Sequence, residues 1–186
     1  VPADDDNVVR VMVVSDYFRG RETSRRRELI WGVVREPPAP FWDHQAVVTR
    51  LTRLVGEHVE RRGLGHVCVS PIDVVLDRDL ALVVQPDVIF VSNGRLDIID
   101  QRVWGAPDLA IEVLSPGTAW RDRTIKLRWY RRYGVRECWV VDPIAKQVDV
   151  VTFQGTRIVR RRHRGSRPIR STVLPGIDLS SEGVFR

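Results

Sequence analysis

The stretch from Gln85 to Lys126 constrains this chain most, because it places acids inside runs that apolar packing alone would keep free of them. Pro86-Asp87-Val88-Ile89-Phe90-Val91 and Asp108-Leu109-Ala110-Ile111-Glu112-Val113-Leu114 are short, rich in β-branched or bulky residues, and bounded by Pro, Gly, Ser or Asn. Both predict strands. Side chains alternate along a strand, so Glu112 shares a face with Ala110 and Leu114. A carboxylate there is costly to bury unless it is paired or bound to a cation. Asp108 shares that face but lies about 13 Å from Glu112 along the strand, too far to share one ion. Asp87, on a separate strand, is the better partner for Glu112, and Asp108 reads as an anchor at the strand's start.

Two carboxylates with water suit Mg2+ or Mn2+, which prefer oxygen ligands in near-octahedral geometry. Such an ion polarises a phosphoryl oxygen and lowers the pKa of an attacking water. A helix is predicted over 119–133, with Ile125, Trp129 and Tyr133 on its buried face and Gly134 as its stop. It carries Lys126. Of the 30 basic residues only Lys126 and Lys146 are Lys. In a chain that otherwise writes Arg, a Lys here points to a compact charge whose pKa can move. Asp122, one turn earlier, either holds Lys126 in place or forms an ordinary exposed ion pair with it.

Upstream, Ser15-Asp16-Tyr17-Phe18 predicts a helix start with a polar cap, and Glu28–Glu36 predicts a strand ended by Pro37, Pro38 and Pro40. Asp43 is the expected cap of a long helix. Its face is Val47, Val48, Leu51, Leu54, Val55, His58 and Val59, and Gly63 closes it. His44, in its first turn, is either a polar helix-start residue or a contact of the site. Residues 66–76 predict a strand broken near Pro71, and 82–91 the next strand. The strand–helix–strand order from Asp108 to Val141 predicts a parallel crossover. Residues 148–153 and 156–161 predict a hairpin, and 173–179 a last extended segment.

The net charge of +6 is local. The segment 157–170 holds seven Arg and no acid, and without it 23 bases face 24 acids. This run either tracks phosphates, through Arg157, Arg160, Arg161, Arg162 and Arg164, or is a solvated hairpin. Cys68 and Cys138 sit in apolar runs and read as core thiols, as Trp104, Trp129 and Trp139 read as core aromatics. The absence of CxxC and HExxH patterns argues against a structural zinc site. No apolar run is long enough for a membrane span, and the acidic N-terminus has no secretory core, which predicts a cytoplasmic protein. We expect an arm over 1–12 and one domain over 13–186.

Pro86-Asp87 followed by Glu112 resembles the PD-(D/E)XK nuclease superfamily, although the usual Lys two residues after the second acid is Leu114 here. Further matches narrow the resemblance. Glu28-Leu29-Ile30-Trp31-Gly32, His44-Gln45, Ala106-Pro107-Asp108-Leu109, Glu112-Val113-Leu114-Ser115-Pro116, Lys126 with Tyr130, and Trp139-Val140-Val141-Asp142-Pro143 resemble the bacterial Uma-two family, which is classed with the endonucleases. The resemblance implies an α/β, restriction-endonuclease-like fold, with a central mixed sheet flanked by helices and extra C-terminal strands. It implies that Lys126 takes the displaced Lys role and that Glu28 joins the site as a third acid. It implies a Mg2+- or Mn2+-dependent endonuclease acting on DNA, held by Asp87 and Glu112 as metal ligands. A homodimer would place two sites on opposite strands. The family commonly has acids at the positions of Trp31 and Val33, and their loss keeps open a binding module of the same fold that does not cut.

Overall fold

The computed structural model describes residues 11–19, 23–115 and 119–186, without the side chains of 119–122. The arm expected over 1–12 falls largely outside these residues. The elements in chain order are α1 (Val14–Phe18), β1 (Glu28–Ile30), β2 (Val33–Arg35), α2 (Trp42–Arg62), β3 (Gly65–Val69), β4 (Val74–Asp77), β5 (Leu82–Val84), β6 (Val88–Ser92), β7 (Val103–Trp104), β8 (Leu109–Val113), α3 (Ala119–Tyr133), β9 (Glu137–Asp142), β10 (Gln147–Gln154), β11 (Arg157–Arg164) and α4 (Ser181–Phe185).

The architecture is mixed α/β, with the strands divided between two mixed sheets. A five-stranded sheet runs β2-β1-β5-β4-β7, and a six-stranded sheet runs β11-β10-β9-β8-β6-β3. β8 and β9 are parallel, joined by the α3 crossover, and Glu112 pairs with Val140. The six-stranded sheet is covered on both faces. On one face Val47, Leu51 and Val55 of α2 pack against Phe90, Ile111, Trp139 and Val150. On the other, Leu127 and Tyr130 of α3 and Val74, Leu82 and Val84 of the five-stranded sheet pack against Ala110, Cys138 and Val140. Burying a side chain such as Leu51 contributes about 1.5–3 kcal/mol.

Several sequence expectations are corrected. The strand expected over 28–36 is a hairpin whose turn residues Trp31 (φ 52) and Gly32 (φ 80) both lie in the left-handed region. Two such residues match the twist of paired strands, but Trp is not a residue that announces such a turn. The runs 66–76 and 82–91 each divide between the two sheets, at Pro71 and at Pro86. Proline has no amide to donate to a ladder, and the Gln85 amide is taken by the Glu28 side chain at 3.1 Å. Asp43 does not cap α2; Phe41 is the N-cap residue and makes no side-chain cap. Gly63 closes that helix in the left-handed conformation, as expected. Helix α1 likewise starts from Val13 without a polar cap. The segment 173–179 is irregular, its Val173, Leu174 and Ile177 are buried, and it leads into α4, which no periodic pattern announced. Cys138 is a buried thiol, but Cys68 is exposed on the edge strand β3. Trp129 and Trp139 are buried, whereas Trp104 is 38% exposed because β7 is an edge of only two residues. Among the described residues, no helix is long and apolar enough to cross a membrane.

Candidate active site

The site forms where the chain passes from one sheet to the other. Gln85-Pro86-Asp87 is fixed there at several points. The Gln85 amide donates to Glu28 Oε1, its side-chain oxygen accepts from the Arg27 amide at 3.0 Å, and its side-chain nitrogen donates to Asp73 at 2.9 Å. Asp87 then enters β6, and its Oδ2 accepts from the Val113 amide of β8 at 2.7 Å. That bond ties Asp87 to the strand that carries Glu112.

Four predicted residues converge. Glu28, Asp87, Glu112 and Lys126 come from β1, the β5–β6 junction, β8 and α3, and all are buried, none more than 4% exposed. The Lys126 ammonium donates to Glu112 Oε1 at 3.0 Å and Oε2 at 3.1 Å and lies 3.0 Å from Glu28 Oε1. Tyr130, one turn along α3, donates its hydroxyl to Glu112 Oε1. Burial and the Glu112 carboxylate push the Tyr130 hydroxyl well above its ordinary pKa, so it stays a donor. His44 also reaches the site, with Nε2 3.5 Å from Asp87 Oδ2. Burial disfavours the charged imidazole, but Asp87 outweighs it and raises the His44 pKa above its usual value. Burial would raise Asp87, yet His44, the Arg26 guanidinium and the Val113 amide together hold it below the ordinary carboxylate range.

Arg26 is the residue that sequence reasoning missed. Its Nη1 donates to Asp87 Oδ1 at 2.7 Å, and its Nη2 donates to the Gln85 carbonyl at 2.6 Å and lies 3.6 Å from Glu112 Oε2. Nothing local marks it, since it sits between Arg25 and Arg27. Arg26, His44 and Asp87 line a cleft of about 890 Å3, together with residues including Pro38, Thr49 and Ser70.

Other candidates lie elsewhere. Asp108 is fully buried at the start of β8, where it accepts from the Ser92 amide at 2.8 Å and from Arg136 at 3.1 Å. Burial would raise its pKa, but these donors and Arg95 lower it. It faces these groups and not the cleft. The side chain of Asp122 lies outside the described residues. The Arg run forms β11, and alternation divides it between two faces. Arg162 stands opposite Asp149, which pairs with Val140, which pairs with Glu112. Arg160, Arg162 and Arg164 therefore share the sheet face of Glu112, with Arg162 roughly three strand spacings, or about 14 Å, away. They contact the buried Asp149 (Arg160 at 3.4 Å, Arg162 at 3.1 Å) and Gln147 (Arg164 at 2.7 Å). Arg157 and Arg161 take the opposite face.

The model of the Uma2 (Uma-two) family, described as "Putative restriction endonuclease", matches residues 14–182. The chain belongs to the Uma2 family. A solved structure described as a "putative nuclease belonging to DUF820" from Anabaena variabilis matches with a TM-score of 0.78 at 17% identity, covering 94% of this chain and 97% of that one. At that identity the likeness concerns the fold, and it agrees with a nuclease-like architecture. No protein with a curated description matches the chain at a significant level. Glu28, Asp87, Glu112 and Lys126, which lie within the matched residues, meet at the sheet junction.

Proposed function

We propose that this Uma2 protein is a Mg2+- or Mn2+-dependent endonuclease that hydrolyses DNA phosphodiester bonds. The observation that carries the reading is the meeting of Asp87, Glu112, Glu28 and Lys126, all buried, beside a cleft that Asp87 lines. Buried carboxylates of this density are costly unless they serve a cation. Among the described residues, no group of three or more His, Cys, Asp or Glu is placed to hold an ion. The donor set of two carboxylates, completed by water, nevertheless fits Mg2+ or Mn2+ better than a softer metal. Asp87 and Glu112 would hold it. When bound, such an ion polarises a phosphoryl oxygen and favours the hydroxide form of water.

The chain's own residues do the positioning. The Val113 amide and His44 fix Asp87 Oδ2, and Tyr130 and Lys126 fix Glu112 Oε1. Asp87 Oδ1 and Glu112 Oε2 face Arg26, and Oε2 also accepts from Lys126. Glu28 holds Lys126, whose ammonium would orient the attacking water and stabilise charge on the phosphoryl oxygens. Arg160, Arg162 and Arg164 would meet the phosphate backbone on the same side of the sheet. A homodimer would set two such sites on opposite strands.

A second reading is a DNA-binding module that does not cut. Trp31, where acids are common in the family, and the Arg26 guanidinium against both carboxylates favour it. Direct Mn2+ binding separates the two. The nuclease reading expects binding that Asp87→Asn and Glu112→Gln each abolish, and the binding module expects none.

A further inference from the structure

The four carboxylate oxygens of Asp87 and Glu112 are not equivalent. Asp87 Oδ2 accepts from the Val113 amide and faces His44, and Glu112 Oε1 accepts from Tyr130 and Lys126. These inner oxygens are held by groups of the surrounding strands and helix. The other pair, Asp87 Oδ1 and Glu112 Oε2, is spanned on the cleft side by one guanidinium, at 2.7 and 3.6 Å, and Oε2 also accepts from Lys126 at 3.1 Å. Arg26 is a quarter exposed on the cleft side, at 26%, while the carboxylates it covers are 3% and 1% exposed. It comes from the segment before β1 and not from the core of either sheet. It also donates to the Gln85 carbonyl at 2.6 Å.

We propose that Arg26 is a resident counter-cation whose guanidinium yields Asp87 Oδ1 and Glu112 Oε2 to a divalent ion, so that ion binding and the Arg26 contacts exclude one another. Arg is charged at all working pH values, so it cannot vacate the pair by losing a proton. It must leave physically. The arrangement adds a counter-charge to the buried carboxylate pair before the ion arrives. It also sets the affinity of the site, because the ion must replace contacts that already exist. Displacement would loosen the segment that Arg26 anchors, where the Arg27 amide donates to Gln85 Oε1. This inference rests on the metal reading of the site.

The test compares Mn2+ binding by wild type, Arg26→Gln and Arg25→Gln with hydrogen exchange of wild type with and without Mn2+. Arg25 is exposed and carries the same charge one residue away, so its variant controls for general electrostatics. Arg26→Gln is expected to bind Mn2+ about tenfold or more tightly than wild type, and Arg25→Gln within about twofold. On adding Mn2+, residues 24–27 should exchange faster while the strands around Asp87 and Glu112 are protected. Mn2+ binding of equal or lower affinity in Arg26→Gln, or protection of 24–27 by Mn2+, would overturn this inference and leave the metal reading standing. No Mn2+ binding by wild type or Arg26→Gln would overturn both.

Discussion

Lys126 donates to both oxygens of Glu112, at 3.0 and 3.1 Å, from a helix that the chain reaches only after leaving that strand. The same ammonium lies 3.0 Å from Glu28. One buried cation therefore balances acids from two sheets. Lys126→Met should remove that balance and destabilise the fold by about 3–5 kcal/mol. Urea denaturation at neutral pH measures it. A change under about 1 kcal/mol would mean that the ammonium is not the main counter-charge of these acids.

The His44–Asp87 contact gives a two-sided pH dependence. The pKa of His44 is raised in the folded protein, so its stabilisation is full below pH 6.5 and is lost as pH rises through the folded value. The pKa of Asp87 is lowered, so its stabilisation is present above pH 3.8 and is lost as pH falls through the folded value. The melting-temperature gap between wild type and His44→Gln should be widest between these limits and narrow towards alkaline pH. A gap that widens on going alkaline would contradict the assignment.

Much of the site was legible in the sequence for one physical reason. Asp87 and Glu112 stand out because burying them needs a partner, and Lys126 stands out because the chain otherwise uses Arg. Arg26 could not be read, because its role depends on β1 folding back beside the β5–β6 junction, far away in sequence. The α/β class, the parallel crossover and the α2 stripe followed from periodicity. The division into two sheets did not, since a run such as 82–91 is apolar on both sides of Pro86. The Trp31-Gly32 turn was hidden because Trp rarely takes positive φ.

Gly65 is set by crowding. A Cβ there would lie 2.1 Å from the Val91 carbonyl oxygen and 2.8 Å from the Ser92 Cα. Both are backbone atoms of the paired strand β6 and cannot rotate away. Gly65→Ala should cost about 1–3 kcal/mol or more, and thermal unfolding reads it. An unchanged melting temperature would mean that β3 and β6 part freely.

The split of the Arg run predicts unequal variants. Arg160→Gln and Arg162→Gln should weaken DNA binding and each lower the slope of log affinity against log salt by about 1. Arg157→Gln and Arg161→Gln, on the other face, should leave the slope nearly unchanged. Fluorescence anisotropy across a salt series decides this. Equal effects of all four would place the contact at the hairpin edge and not on the Glu112 face.

The most direct test of the account is DNA cleavage by the purified protein with Mg2+, with Mn2+ and with chelator, on supercoiled plasmid and on single strands. Glu112→Gln and Asp87→Asn, each checked for folding, run beside it. The account predicts cleavage that requires the divalent ion and disappears in both variants. Cleavage that persists in the chelator or in both folded variants, or no cleavage of any substrate by wild type that binds Mn2+, would contradict it.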